Sequence, residues 1–453
     1  MRRIGAVIAA GAFLVLTPTP AFAHGLLGRV ESPLPLAVYL AGAALAVGLL
    51  FAFVLLRNVE APPTVEGPPR RVPRAIALFL RAVGLLGWTW IIAQALVGGT
   101  SAAEVAVLFL WVYGWVAIAM LSAFVGPVWH FIDPFSTLFD LGAGVLRRLK
   151  VRPWEPATYP VALGRWPAVV GFFVVVWLEL GLKAGSSVLA IALIGYTALT
   201  LAMMAQFGRD TWRPNGEVFT VWFGLLGRLA PFTSVDADNQ VRRRPIISGL
   251  LTRGWTLPEV AIVSMGVGSI LFDGISQTEW WYGLFGLPGL GMATLQLFAF
   301  LGVVLVCVLG VARLVGLDAT GAGLVPIAVG YLVAHYLTFL LGDGQRLIVA
   351  ISDPFQLGWD LFGTAFYEPG TDWIPPALMW TVQLAAVVGG HIVGAWAGHI
   401  VAAREAPHRT DVRLRQVPLA VLMVALTATT LWSLGQTIVK EPEAMSITAG
   451  DRS

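Results

Sequence analysis

About ten apolar stretches, each near the roughly 20 residues that a helix needs to cross a bilayer, constrain this chain more than any other feature. They run near 34–57, 74–98, 103–127, 164–182, 186–206, 257–275, 292–316, 321–342, 375–402 and 415–439. Within hydrocarbon every backbone N–H and C=O must find its partner inside the protein, so such stretches fold as helices. Only 12% of the 453 residues are charged and 57% are hydrophobic, against roughly 25% charged in soluble domains. A soluble fold is excluded, and an all-α integral membrane protein is expected.

Charge placement sets the expected orientation. Alternate loops carry Arg57, Arg70, Arg71 and Arg74; then Arg147, Arg148, Lys150 and Arg152; then Arg209, Arg213, Arg242, Arg243, Arg244 and Arg253. Arg313 follows, and finally Arg404, Arg409, Arg413 and Arg415. The intervening loops carry Glu279, Asp343, Asp353, Asp360, Glu368 and Asp372. Basic loops stay on the cytoplasmic side, which places both mature termini outside a plasma membrane. The same placement explains the net charge of +3 without a nucleic-acid partner. The lone Cys307 lies in an apolar stretch, so neither a disulfide nor a cysteine metal cluster forms within the chain.

The first residues read as a secretory leader. Arg2 and Arg3 precede the apolar stretch from Ile4 to Leu16, and Ala21-Phe22-Ala23 is a small-x-small cleavage site. Cleavage leaves His24 as the new terminus; an uncleaved anchor is the alternative. The expected organisation is a signal peptide at 1–23, a five-helix half at 24–206, a cytoplasmic loop at 207–256 and a second five-helix half at 257–453. The apolar run Val218 to Leu229 is too short to span, so it reads as interfacial or re-entrant. Leu138 to Leu149 suits the membrane interface.

A short signature occurs twice. Asp133-Pro134-Phe135 is followed by Asp140, and Asp353-Pro354-Phe355 by Asp360. Each copy follows the third span of its half, and the halves enter the membrane with opposite orientation. Inverted repeats with broken helices at matching positions are a transporter architecture. Pro removes a backbone donor and disfavours helix in the residue before it, while an Asp there can cap the next helix. Two capped interfacial helices satisfy the pattern; so do helix breaks lining a cavity that binds ions or substrate.

Ionisable groups inside spans are costly and mark candidate sites. His391 lies near the middle of the ninth span, and His335 and Gln383 lie in the outer halves of the eighth and ninth. Glu179, Asp273 and Asp343 sit near outer ends. By depth these groups can share one outward-facing polar cavity. Interfacial solvation is the plain alternative for Glu179 and Asp273, and a hydrogen-bonded core imidazole for His335. Gly389, Gly390, Gly394 and Gly398 flank His391 and allow close helix approach. His130 and His399 belong to the inner side. An N-terminal His24 offers an amine and an imidazole, donors that suit copper. Neither a phosphate loop nor a zinc-protease or serine-hydrolase motif is present.

The chain resembles a family of actinobacterial multi-span membrane proteins labelled fenitrothion hydrolase. The likeness rests on His24-Gly25, Gly164-Arg165-Trp166-Pro167, Trp177-Leu178-Glu179, Phe207-Gly208-Arg209, Phe272-Asp273-Gly274 and Val325-Pro326-Ile327. It continues through Ala334-His335-Tyr336, Asp353-Pro354-Phe355 and Trp359-Asp360-Leu361-Phe362-Gly363. The resemblance implies hydrolysis of an organophosphate ester at a bacterial membrane. Such chemistry usually uses metal-activated water, for which His335, His391, Asp273 and Glu179, with Asp343, are the available ligands. Three functions therefore stand. A secondary transporter of a small solute leads, ahead of a membrane-embedded hydrolase using a divalent metal and a copper-handling protein using His24. In each the bilayer is a partner.

Overall fold

The computed structural model describes residues 65–97, 105–151, 155–235, 239–355, 357–370, 373–405 and 417–434, with positions 48 and 436. The leader, His24, the first expected span, Arg152, Asp236, Asp238, Asp372 and His408 lie outside the described residues. The chain runs through β1 (Arg70–Arg71), α1 (Arg74–Val97) and α2 (Val105–Phe124), then the short α3 (Val128–Ile132) and α4 (Pro134–Arg148). It continues through α5 (Trp166–Gly181), α6 (Ser186–Phe207), α7 (Arg209–Gly216) and α8 (Val218–Leu229). The hairpin β2 (Phe232–Val235) and β3 (Gln240–Arg243) precedes α9 (Leu257–Ser276), α10 (Glu279–Phe285) and α11 (Leu290–Val315). The last elements are α12 (Leu317–Gly342), α13 (Arg346–Ser352), α14 (Pro376–Glu405) and α15 (Val417–Leu434).

Every expected span within the described residues falls on a helix. Among the described residues seven helices are long and apolar enough to cross a membrane, α1, α2, α6, α9, α11, α12 and α14, while α5, α8 and α15 are shorter. Contacts at the helix ends show that they alternate in direction. At one end Gly254 and Trp255 donate to Asp318, and Arg404 donates to the Leu251 carbonyl. At the other, Trp177 donates to Thr294, Tyr113 to the Gly344 carbonyl, and Trp280 packs edge-on against Trp432. The three-stranded sheet, ordered β1-β3-β2 and antiparallel, belongs to the first, arginine-rich end.

The central helix is α9, buried from Pro258 to Ile275. It begins with a capping box: Thr256 and Glu259 satisfy each other's backbone amides. The Glu259 carboxylate is fully buried and takes Arg165 and Arg228 as ion-pair partners. Gly266 makes room in α9 for the Trp222 ring. Helices α12 and α14 make the most extensive helix contact in the described chain. Lipid supplies no hydrophobic drive between helices, so close packing of small residues holds them together. A Cβ on Gly390 would stand 2.5 Å from the Pro326 carbonyl oxygen, and one on Gly330 2.5 Å from that of Ala386. The glycines around His391 are therefore a backbone-to-backbone seam.

Two segments between the long helices find different places. The run Val218–Leu229 is a buried helix rather than an interfacial segment: Val218, Phe219, Trp222, Phe223 and Leu226 are all at most 5% exposed. Apart from Thr220 and Arg228, which pairs with Glu259, its side chains are apolar, and the chain enters it from α7 and leaves to β2. By contrast α4 exposes Leu141, Val145 and Leu146 beside Arg147 and Arg148, the composition of an interfacial helix.

The two D-P-F copies are built differently. Asp133 caps α4, accepting from the amides of Phe135 and Ser136, with Pro134 at the first helical position. Asp353 follows α13, as Asp133 follows α3, but no helix starts at Pro354. Its carboxylate instead accepts from the amides of Leu357 and Gly358, and Asp360 accepts from Ser352 Oγ and the Ala365 amide. Gly358 and Gly363, at φ +78° and +71°, turn the backbone out of helical space. The expectation that both copies open a helix thus holds for the first alone.

Candidate functional site

At the end of the bundle away from the arginines, three helices bring ionisable groups together. Asp273 lies in the last turn of α9, where the adjacent Gly274 leaves room for the His335 ring and Ser433. Asp273 is 2% exposed, and its carboxyl is hydrogen-bonded from several sides. His335 Nε2 is 2.9 Å from Oδ2, the Tyr336 hydroxyl donates to the same oxygen at 3.0 Å, and Gln277 donates to Oδ1 at 2.6 Å. His335 and Tyr336 are consecutive on α12, so their directions differ by about 100°; both reach Asp273 because α9 packs into the groove between them. Their rings meet edge to face at 4.6 Å between centroids.

Glu179 approaches from α5. The helix ends in a π turn, Trp177–Gly181, with i→i+5 bonding, a distortion that is frequent at functional sites. Glu179 lies within this turn and is 3% exposed. Its carboxyl is close enough to Asp273, and to Tyr336, for the charges to interact. Two carboxyls, an imidazole and a phenol from α5, α9 and α12 therefore form one buried set. An isolated charge is expensive in such surroundings, and the Asp273–His335 contact supplies the compensating partner. Groups of these types can hold and pass protons.

The other sequence candidates lie elsewhere. Gln383 donates to the Ala334 carbonyl at 2.8 Å, tying α14 to α12 one residue from His335. His391 is fully buried in the glycine seam; Nδ1 is 2.8 Å from the Val387 carbonyl and Nε2 is 3.5 Å from the Tyr331 hydroxyl. It is a hydrogen-bonded core imidazole between helices, apart from the acidic set. Asp343 pairs with Arg346 at 3.3 Å. The expected four-ligand set of His335, His391, Asp273 and Glu179 is thus divided. Among the described residues no three His, Cys, Asp or Glu side chains converge closely enough to hold a metal ion. Asp353 and Asp360 order the loop after α13 by accepting backbone amides, which holds the Asp360 carboxyl below the usual carboxylate range.

Asp133 belongs to a separate network at the arginine-rich end. Its carboxylate lies 2.8 Å from Arg213 Nε, but that N–H is not aimed along the contact, so the attraction is coulombic. Glu217, fully buried, caps α8 and also accepts from Trp129 at 3.1 Å and Tyr196 at 2.6 Å. Arg81 and Arg209 both pair with Asp140. His130 borders these cations, and burial, then the charges of Arg213, Arg81 and Arg209, hold its pKa down to about 4. Each carboxylate here has compensating donors, the pattern of a structural lock.

Tyr336, Gln277, Arg213 and Glu217 do not stand out in the sequence. Tyr336 adjoins His335, and Gln277 follows Asp273 by one helical turn, which is the signal that could have found it. Glu217 precedes an apolar run, but Glu is an uncommon cap and gives no clear mark. Compared with known protein families, with curated proteins and with solved structures, the chain matches none.

Proposed function

We propose that this protein is a secondary transporter of a small solute, and that Glu179, Asp273, His335 and Tyr336 form its proton- or cation-exchanging site. The observation that carries the reading is the meeting of two carboxyls and one imidazole inside the bundle, on three different helices. Such groups within membrane helices mark ion pathways and proton relays. Because Glu179 sits on α5 and Asp273 and His335 on α9 and α12, a shift of α5 alters the charge balance of the set. That gives a means of linking ion occupancy to a conformational change. The finer topology belongs to the same reading: a leader cleaved after Ala23, about ten spans in two inverted halves, and both mature termini outside a bacterial plasma membrane.

The test is pH-difference infrared spectroscopy on the reconstituted protein. A reversible carboxyl C=O band is expected in the wild type, altered in both Glu179→Gln and Asp273→Asn. A spectrum identical in all three proteins over pH 5–9 refutes the exchanging site.

The hydrolase reading keeps one specific support. A carboxylate that fixes one imidazole nitrogen leaves the other available as a general base, and Asp273 holds His335 in that way. The resemblance implies an organophosphate ester as substrate. Release of phenolate from an aryl phosphotriester, abolished in His335→Ala, would favour this activity over transport. The copper proposal for His24 depends on copper titration of the processed protein beside His24→Ala; equal binding by both ends it.

A further inference from the structure

The arginine-rich end holds a small polar hollow, apart from the acidic set. Its volume is about 20 Å³, room for one water molecule or one phosphate oxygen. Three guanidiniums line it, Arg81 from α1 and Arg209 and Arg213 from α7, together with the His130 ring from α3. The start of α4 completes the wall with Asp133, Ser136 and Thr137.

Donors outnumber acceptors around this hollow. A guanidinium carries five N–H donors and no acceptor. Arg81 gives one donor to Asp140, at 3.3 Å, and Arg209 gives one to Asp140 and one to Asp210. Arg213 meets Asp133 by coulombic attraction only. Its Nε is buried, and its terminal nitrogens, which are not, donate to no acceptor among the described residues. The His130 ring touches Phe131 edge-on and has no hydrogen bond among the described residues. On the acceptor side, Asp133 is already taken by the amides of Phe135 and Ser136 and by the Ser136 hydroxyl. Asp140 is shared between two arginines, and the Asp210 side chain is 73% exposed, so water screens it. What the hollow lacks is an anion with several acceptor oxygens.

Its position identifies the source of that anion. Helix α1 is long and apolar enough to cross a membrane, and Arg81 lies about 10 Å along it from Arg74. Leu78 and Phe79 beside it are 55% and 65% exposed, as lipid-facing residues are. Leu141 and Val145 of the interfacial helix α4 are exposed too. The hollow therefore sits where acyl chains give way to headgroups, and the oxyanion abundant at that level is the lipid phosphodiester. Basic pockets between membrane helices suit such headgroups, and arginine pairs with phosphate oxygens in a two-pronged fashion.

We infer that Arg81, Arg209 and Arg213 form a binding site for the phosphodiester of an anionic bilayer lipid, with one oxygen entering the hollow toward His130 and Thr137. The inference does not depend on the proposed transport function.

The test is native mass spectrometry of the detergent-solubilised full chain, titrated with phosphatidylglycerol beside phosphatidylcholine of the same acyl composition, whose choline cation cancels the phosphate charge. Wild type should bind one phosphatidylglycerol at least tenfold more tightly than phosphatidylcholine. Arg81→Gln should weaken the phosphatidylglycerol complex about fivefold, the loss of one basic contact. Thr137→Glu places a carboxylate in the hollow, in the first turn of α4 where the helix dipole favours it, and should abolish the preference. Both variants keep the Arg213–Asp133 contact, so both should fold. Arg147→Gln, on α4 but outside the hollow, should leave binding unchanged. Equal weakening by Arg147→Gln would show diffuse attraction to a basic surface and overturn the site. Displacement of the lipid by millimolar inorganic phosphate would assign the hollow to a soluble anion and overturn the lipid assignment. An unchanged preference in Thr137→Glu overturns the site equally.

Discussion

Replacing Asp273 by Asn probes the acidic set at its most connected atom pair. The amide keeps one oxygen, whereas the carboxylate accepts at both: His335 and Tyr336 at Oδ2, Gln277 at Oδ1. With the amide oxygen turned toward His335 and Tyr336, Gln277 faces an NH₂ group and loses its acceptor. A hydrogen bond to a carboxylate contributes roughly 1.5–3 kcal/mol, and a buried polar group left without a partner costs about 1–3 kcal/mol. The His335 and Asp273 side chains are 14% and 3% exposed, so solvent screening is small. Asp273→Asn is therefore expected to lose about 2–3 kcal/mol. His335→Gln should lose a comparable amount, because it takes a partner from the carboxyl. The double variant loses that contact only once, so its loss should fall short of the sum by at least about 1 kcal/mol. Denaturant unfolding in detergent, followed by tryptophan fluorescence, measures all four corners of this cycle. Losses that add within about 0.5 kcal/mol, the behaviour of independent sites, would falsify the coupled pair and remove the physical basis of the exchanging site.

Four further outcomes follow from the geometry. Glu259→Ala should cost about 3–5 kcal/mol, since it leaves Arg165 and Arg228 facing one another and opens the capping box; Glu259→Gln, which preserves the box, should lose less in the same unfolding assay. His130 sits near pKa 4 in the fold against 6.5 in its absence, so the unfolded chain binds the extra proton between those values. Stability should thus fall as pH drops from about 6.5 toward 4, by up to about 3 kcal/mol, with a flatter profile for His130→Asn. Gly390→Leu should separate α14 from α12, because its Cβ alone would meet the Pro326 carbonyl oxygen at 2.5 Å; thermal scans should show a large loss, whereas Gly389→Leu, with no atom within 4 Å of its Cβ, should leave the midpoint nearly unchanged. Asp360→Ala should loosen the 353–370 loop, with faster amide exchange at Ala365 than in the wild type.

The position, length and alternation of the described helices were legible because lipid imposes a backbone rule that apolar length alone expresses. The helices at 74–97, 186–207 and 257–276 lie within two residues of their apolar stretches. Depth was legible for the same reason: Glu179, Asp273 and His335 stand at the level their positions imply, and the structure brings them together. The azimuth of each group around its helix was not. His391 and Gln383 share α14, yet one sits in the glycine seam and the other on the α12 backbone. The rotation of a helix apolar on all sides is decided by steric fit with its neighbours, as between Gly390 and Pro326 or Gly266 and Trp222. The repeated D-P-F tripeptide shows the same limit, since a helix follows the first copy and a turn with Gly358 at positive φ follows the second. Apolar length and charge placement are properties of segments and can be read along a chain. The pairing of Asp273 with His335, the burial of Val218–Leu229 and the hollow among Arg81, Arg209 and Arg213 depend on contacts between segments, which arise only when the helices pack.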